Sequence, residues 1–223
     1  MTKICQCLNC KHFFRSNKKG GGMILNADES QVVLIDFSTK FIEGLDNTNQ
    51  LLGSATKLAQ IAKLLKVPVW GVEQNPDFNG PMVEKIRFLC QKIIPKLHFD
   101  ACEEGLIELL RAPTKNLTHG NARSLPKHLQ KKDTTPDPST ILLAGCETHV
   151  SVLQTAMGLI DMEFDVCLVI DASASATVRN HDAALDRLAG AGVELVTLEM
   201  VAYEWLSAYD HPSFSEALKI LHN

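Results

Sequence analysis

Residues 140–172 read TILLAGCETHVSVLQTAMGLIDMEFDVCLVIDA: a buried strand, a tight turn, a helix and a second buried strand within one βαβ unit. Ile141, Leu142, Leu143 and Ala144 form a continuous apolar run, the pattern of a strand covered on both faces, and Gly145 ends it. The turn Cys146-Glu147-Thr148-His149 leads into a helix whose Val152, Leu153, Ala156 and Ile160 share one stripe. Ser151 then falls in the first helical turn, above the carboxyl end of a parallel strand. Open α/β sheets bind ligands there, and free backbone N–H groups at the positive end of a helix dipole stabilise an anion. The position suits a nucleophile or an oxyanion hole.

Outward from this unit, strand signals recur at 31–36, 67–73, 93–95, 140–145, 166–171 and 193–198, and helical signals fill most of the intervals. The clearest helix carries Ala55, Leu58, Ala59, Ala62 and Leu65 on one stripe and stops before Val67-Pro68. Such alternation predicts a parallel sheet with helices on both faces. With 223 residues and 45% apolar content, one α/β domain with a sizeable core is expected.

The turn, Ser151 and the following Gln154-Thr155-Ala156 resemble the nucleophile segment of the isochorismatase-like (cysteine hydrolase) superfamily, and the resemblance extends over about residues 24–206. It implies a three-layer, doubly wound α/β fold with a mostly parallel six-stranded sheet in the order 3-2-1-4-5-6. That order places a switch point between the first and fourth strands and brings Asp36 near Ser151. In the family the nucleophile is Cys; here its position holds Ser151. The resemblance also implies a cis peptide bond between Cys146 and Glu147, with the Val150 and Ser151 N–H groups aimed into the pocket.

Asp36 ends the apolar run Val32-Val33-Leu34-Ile35, where a carboxylate is expensive unless paired or used. The resemblance makes it the general acid/base. Lys96 follows Ile93-Ile94-Pro95 and precedes Leu97-His98-Phe99; by the same resemblance its ammonium stabilises the neighbouring carboxylate and nucleophile. Glu73-Gln74-Asn75-Pro76 is similar to a family stretch at the pocket mouth, so Glu73 and Gln74 join Phe99, Cys146, Glu147, Thr148 and Val150 as expected substrate-binding residues. The Asp and His cluster that holds a divalent metal in nicotinamidases has no counterpart, and neither a catalytic metal nor a cofactor is expected.

Residues 1–22 carry Lys3, Lys11, Arg15, Lys18 and Lys19 without an acid, so their removal takes the formal charge from -4 to -9. They read as an unstructured or non-native extension, with Met23 the expected natural start and an organelle-targeting segment the alternative. Cys5, Cys7, Cys10 and His12 lack the second Cys pair of a structural zinc site. The domain itself is expected over 23–223. Pro113, Pro126, Pro136 and Pro138 with five basic residues mark an inserted, exposed loop near 112–140. The calculated pI near 6.1 and the lack of a long basic stripe give no reason to expect a nucleic-acid partner. No apolar run approaches the roughly 18 residues needed to cross a bilayer, so no membrane partner is expected. The scattered Cys90, Cys102, Cys146 and Cys167 read as reduced thiols, and a cytoplasmic location is expected.

Three functions are compatible with these residues. The first is hydrolysis of a small amide or acyl compound, with Ser151 attacking and Asp36 taking its proton. A hydroxyl is harder to ionise than a thiol, so turnover would be weak or absent. The second is vinyl-ether hydrolysis without a covalent intermediate, with a protonated Asp36 as acid. The third is a catalytically silent binding or scaffold protein. Homo-oligomerisation is expected from the apolar, aromatic stretch 199–207, with Trp205 and Tyr209 on one helix face.

Overall fold

The computed structural model describes residues 24–45, 47–112 and 139–222. The expected extension over 1–22 and nearly all of the insertion expected near 112–140 lie outside them. Six strands form one sheet: β1 (Ser30–Ile35), β2 (Val69–Gln74), β3 (Lys92–Lys96), β4 (Thr140–Cys146), β5 (Asp165–Ala174) and β6 (Glu194–Val196). They lie in the order β3-β2-β1-β4-β5-β6 with every neighbouring pair parallel, the doubly wound order that the resemblance implies. The intervals hold α1 (Thr39–Glu43), α2 (Thr48–Leu64), α3 (Pro76–Asn79), α4 (Glu84–Arg87), α5 (Leu106–Leu110), α6 (Leu153–Asp161), α7 (Val178–Gly190), α8 (Leu198–Leu206) and α9 (Phe214–His222).

The period of two along the central strands divides the core into two layers. Val32, Leu34, Leu142 and Ala144 pack with Leu58, Ala59, Ile61 and Ala62 of α2 and with Val201 and Ala202 of α8. Val33, Ile35, Ile141 and Leu143 pack on the opposite face with Leu153, Ala156 and Leu159 of α6 and Leu188 of α7. Each buried Val, Leu or Ile among them contributes roughly 1.5–3 kcal/mol. The α2 stripe ends as its sequence requires. Lys66 takes a positive φ of 62° and Val67 N–H closes back on Ala62 O at 2.8 Å, a Schellman-type stop, and Pro68 prevents continuation.

Gly145 decides how closely the two central strands meet. A Cβ at this position would lie 2.2 Å from Ile35 O, its register partner's carbonyl on β1, so only glycine permits the approach. The carboxyl ends of β1 and β4 therefore lie close together, with Asp36 directly after the one and the turn that carries Ser151 directly after the other.

The aromatic residues of α8 divide, Trp205 inward and Tyr203 exposed, with Met200 exposed on the same helix. Trp205 is buried and its indole N–H donates to Ser30 Oγ at 3.1 Å, tying the helix to the start of β1. The helix ends at Leu206, with Ser207 at φ 55°, so the exposed Tyr209 lies beyond it and packs on Phe214 with ring centroids 4.4 Å apart. Trp205 and Tyr209 do not share a helix face, and that expectation is corrected.

Candidate active site

Asp36 follows the last residue of β1 in a left-handed conformation (φ 57°), held by its N–H donating to Val72 O on β2 at 2.9 Å. Lys96 is the last residue of β3, reached across an edge strand that tolerates Pro95. Ser151 lies in a π-helical turn, Thr148–Val152, that precedes α6. Three separate connections thus deliver three polar side chains to one point, and all three are nearly sealed from solvent: Asp36 is 1%, Lys96 2% and Ser151 3% exposed.

Lys96 Nζ is the hub. It donates to Asp36 Oδ2 at 3.1 Å, to Ser151 Oγ at 3.1 Å, and to Gln74 Oε1. Asp36 Oδ1 has no partner in hydrogen-bonding geometry. Burial pushes the Asp36 carboxyl up from its ordinary value; the Lys96 charge, the nearby Ser151 hydroxyl and the Gln74 backbone pull back against it. Burial lowers the Lys96 pKa, opposed chiefly by Asp36 and more weakly by Asp100 and Glu104. A low-dielectric setting brings the proton affinities of the two groups together, which makes Asp36 a better proton acceptor than an exposed carboxylate.

The expected Cys146–Glu147 cis peptide bond is present. The backbone that follows departs from expectation. Val150 N–H donates to Glu147 O at 3.0 Å in an i→i−3 bond, and Val152 N–H reaches the same carbonyl at 3.5 Å in the i→i−5 bond of the π turn, so the Val150 donor is used within the turn itself. Cys146 is fully buried, and burial, Glu147 and Asp36 all raise its thiol pKa.

The remaining expected site residues divide. Glu73 is buried with Oε1 accepting from Met82 N–H at 2.8 Å and from Arg87 at 2.5 Å, so its carboxylate is committed to fixing α4 rather than to a pocket mouth. Gln74 points inward, with Oε1 on Lys96 and Nε2 donating to Leu97 O at 2.7 Å. Phe99 is half exposed, with its carbonyl accepting from Thr155 Oγ1 at 3.5 Å. Glu147 Oε2 accepts from Ala176 N–H at 2.9 Å and stands 3.3 Å from His149 Nδ1, pinning the turn to the loop after β5. Thr148 Oγ1 pairs with His181 Nδ1 at 3.2 Å, tying the same turn to α7.

His149 Nδ1 lies 3.1 Å from Ser175 Oγ and its Nε2 3.3 Å from Asn180 Nδ2, so the imidazole braces the turn from outside. Ser173, which the sequence reading missed, donates to Val169 O at 2.9 Å and accepts from Gly145 N–H at 3.3 Å across a register shift between β4 and β5. No motif spacing would have exposed it. Among the described residues, no three His, Cys, Asp or Glu side chains converge in a way that could hold a metal ion. No helix among them is long and apolar enough to cross a membrane.

The isochorismatase domain family model matches residues 30–200. The chain belongs to the isochorismatase family. Isochorismatase domain-containing protein 2 of Xenopus laevis is 29% identical over 197 residues, covering 88% of this chain and 85% of that protein. In fold, this isochorismatase-family chain is similar to MAR1 ribonuclease from Caenorhabditis elegans (TM-score 0.76, 22% identity, 90% and 93% of the two chains). It is also similar to the YcaC gene product of Escherichia coli, described as an octameric hydrolase of unknown specificity (TM-score 0.75, 20% identity, 91% of each chain).

These neighbours correct one expectation. A fold shared with a protein named as a ribonuclease, a name also given provisionally to structures from Leishmania major and Leishmania donovani, removes the exclusion of nucleic-acid partners. The physical reason is that net charge and pI describe the whole chain, whereas recognition of a phosphate needs only a local arrangement of donors.

Proposed function

We propose that this chain is an isochorismatase-family hydrolase that uses Ser151, at the position of the family's Cys, as a slow nucleophile toward a small acyl substrate. The supporting observation is the single Lys96 ammonium donating at 3.1 Å to both Asp36 and Ser151. A donor on Oγ stabilises negative charge developing there, and the unpartnered Asp36 Oδ1 is the available acceptor for the hydroxyl proton. In this reading Oγ bonds to the acyl carbon as its proton passes to Asp36, and the leaving amine or alkoxide takes that proton as it departs. Water then cleaves the acyl-serine. A hydroxyl beside Asp and Lys, without a His base, supports slow turnover.

Cys-independent vinyl-ether hydrolysis has one observation in its favour, the burial that raises the Asp36 pKa and favours a protonated general acid. Small amides, vinyl ethers and a short RNA incubated with the wild type, Ser151→Ala and Ser151→Cys separate the readings. The nucleophile reading expects cleavage of an amide or ester that Ser151→Ala abolishes and Ser151→Cys accelerates. Cleavage of a vinyl ether or of RNA that survives Ser151→Ala would replace it.

A further inference from the structure

We propose that Gln74 is a positioning residue that holds the Lys96 ammonium in place and charged; the proposal rests on the reading of Lys96 as the group that activates position 151. Gln74 and Lys96 are register partners at the carboxyl ends of β2 and β3, so their side chains stand on the same side of the sheet, one strand apart. Asn75 N–H closes the pair by donating to Lys96 O at 2.8 Å. The carboxamide is used at both ends, Oε1 accepting from Lys96 Nζ and Nε2 donating to Leu97 O. That partner set also fixes which way the amide points. The reverse orientation would set NH2 against an ammonium and one carbonyl oxygen against another.

The hydrogen-bond count around Lys96 explains why a neutral acceptor belongs here. An ammonium has three N–H donors, and Asp36 Oδ2, Ser151 Oγ and Gln74 Oε1 are three acceptors. The Lys96 side chain is fully buried, so a donor released by loss of Gln74 has no solvent to turn to. Burial already favours the uncharged amine, and removing an acceptor adds to that tendency. Asp36 faces the ammonium directly, whereas Asp100 and Glu104 act on it from farther away. A second carboxylate at position 74 would keep the lysine charged but would repel any anion forming on residue 151. A carboxamide supplies the acceptor without the charge.

The test uses the full chain carrying Ser151→Cys, with iodoacetamide as probe and peptide-mapped mass spectrometry to follow the introduced thiol. With Ser151→Cys alone, the pH midpoint for labelling is expected below the ordinary thiol value of about 8.5. Adding Gln74→Met is expected to raise that midpoint by at least about one pH unit, so the rate at pH 7 falls about tenfold. Gln74→Leu should do the same, and provides the comparison if the methionine variant does not fold. A lower melting temperature with an unmoved midpoint would overturn the proposal, since a residue that only packs would give that result. A midpoint at or above 8.5 with Ser151→Cys alone would overturn the Lys96 reading, and the role of Gln74 with it.

Discussion

The Lys96 ammonium and the Ser151 hydroxyl stand 3.1 Å apart in the interior, and the same nitrogen is 3.1 Å from Asp36 Oδ2. An oxygen in that position is set to gain negative charge, and a sulfur there would gain it more readily. Ser151→Cys is therefore expected to react with iodoacetamide at neutral pH. The chain provides its own control: burial raises the Cys90 and Cys167 pKa to about 12, and it also raises those of Cys102 and Cys146. Peptide mapping should find the label at position 151 at least about a hundredfold faster than at those four thiols, about 2.7 kcal/mol in barrier. Equal labelling of all five would remove the electrostatic argument.

Lys96→Met leaves Asp36 buried without its cation. Breaking a buried pair from one side costs roughly 3–5 kcal/mol, and here the loss depends on pH. With Lys96 gone, the largest influence lowering the Asp36 pKa disappears, so the folded-state value rises further above the unfolded one. The folded variant then binds more protons than the unfolded chain between those two values, and its stability falls as pH rises through that window. Urea midpoints should place Lys96→Met closest to wild type at mildly acidic pH and furthest from it at neutral pH. A deficit independent of pH would mean that Asp36 is not the group left exposed to the loss.

Gly145→Ala probes the approach of β1 and β4. Its Cβ would have to occupy a point 2.2 Å from Ile35 O, and backbone cannot yield as a side-chain tip can. We expect a loss of about 2–3 kcal/mol, with Asp36 displaced from Lys96. Thermal melts measure the first, and the Ser151→Cys labelling rate the second. A variant as stable as wild type would show that the strands part easily.

Trp205→Phe keeps the ring in its pocket and removes the N–H that reaches Ser30 Oγ. About 1 kcal/mol should be lost, against about 3–5 for Trp205→Ala, in denaturant titrations. A neutral Trp205→Ala would contradict the inward placement of α8.

The readability of this fold followed from backbone periodicity. The unbroken apolar runs of β1 and β4 are legible because strands buried on both faces have no polar side to show, and Gly145 marks where they come closest. The meeting of Asp36, Lys96 and Ser151 follows once the strand order is known. Side-chain partners were less legible. Arg87 captures Glu73 from a one-turn helix with little sequence signature, and Gln74 turns inward because its register partner is a buried lysine. The N–H of Val150 is used by a local bond to Glu147 O at the start of a π turn that an apolar stripe cannot distinguish from an α-helical one. Each depends on tertiary placement, which residue type alone does not carry.

In the proposed reaction, Asp36 and Lys96 make the Ser151 hydroxyl a nucleophile. Incubating the wild type with p-nitrophenyl acetate and mapping the acetylated peptides by mass spectrometry reads out that role. An acetyl group is expected on Ser151, reduced at least about tenfold by Asp36→Asn or Lys96→Met and absent in Ser151→Ala. Acetylation of other residues without Ser151, or of Ser151 at an undiminished rate in Asp36→Asn, would contradict it.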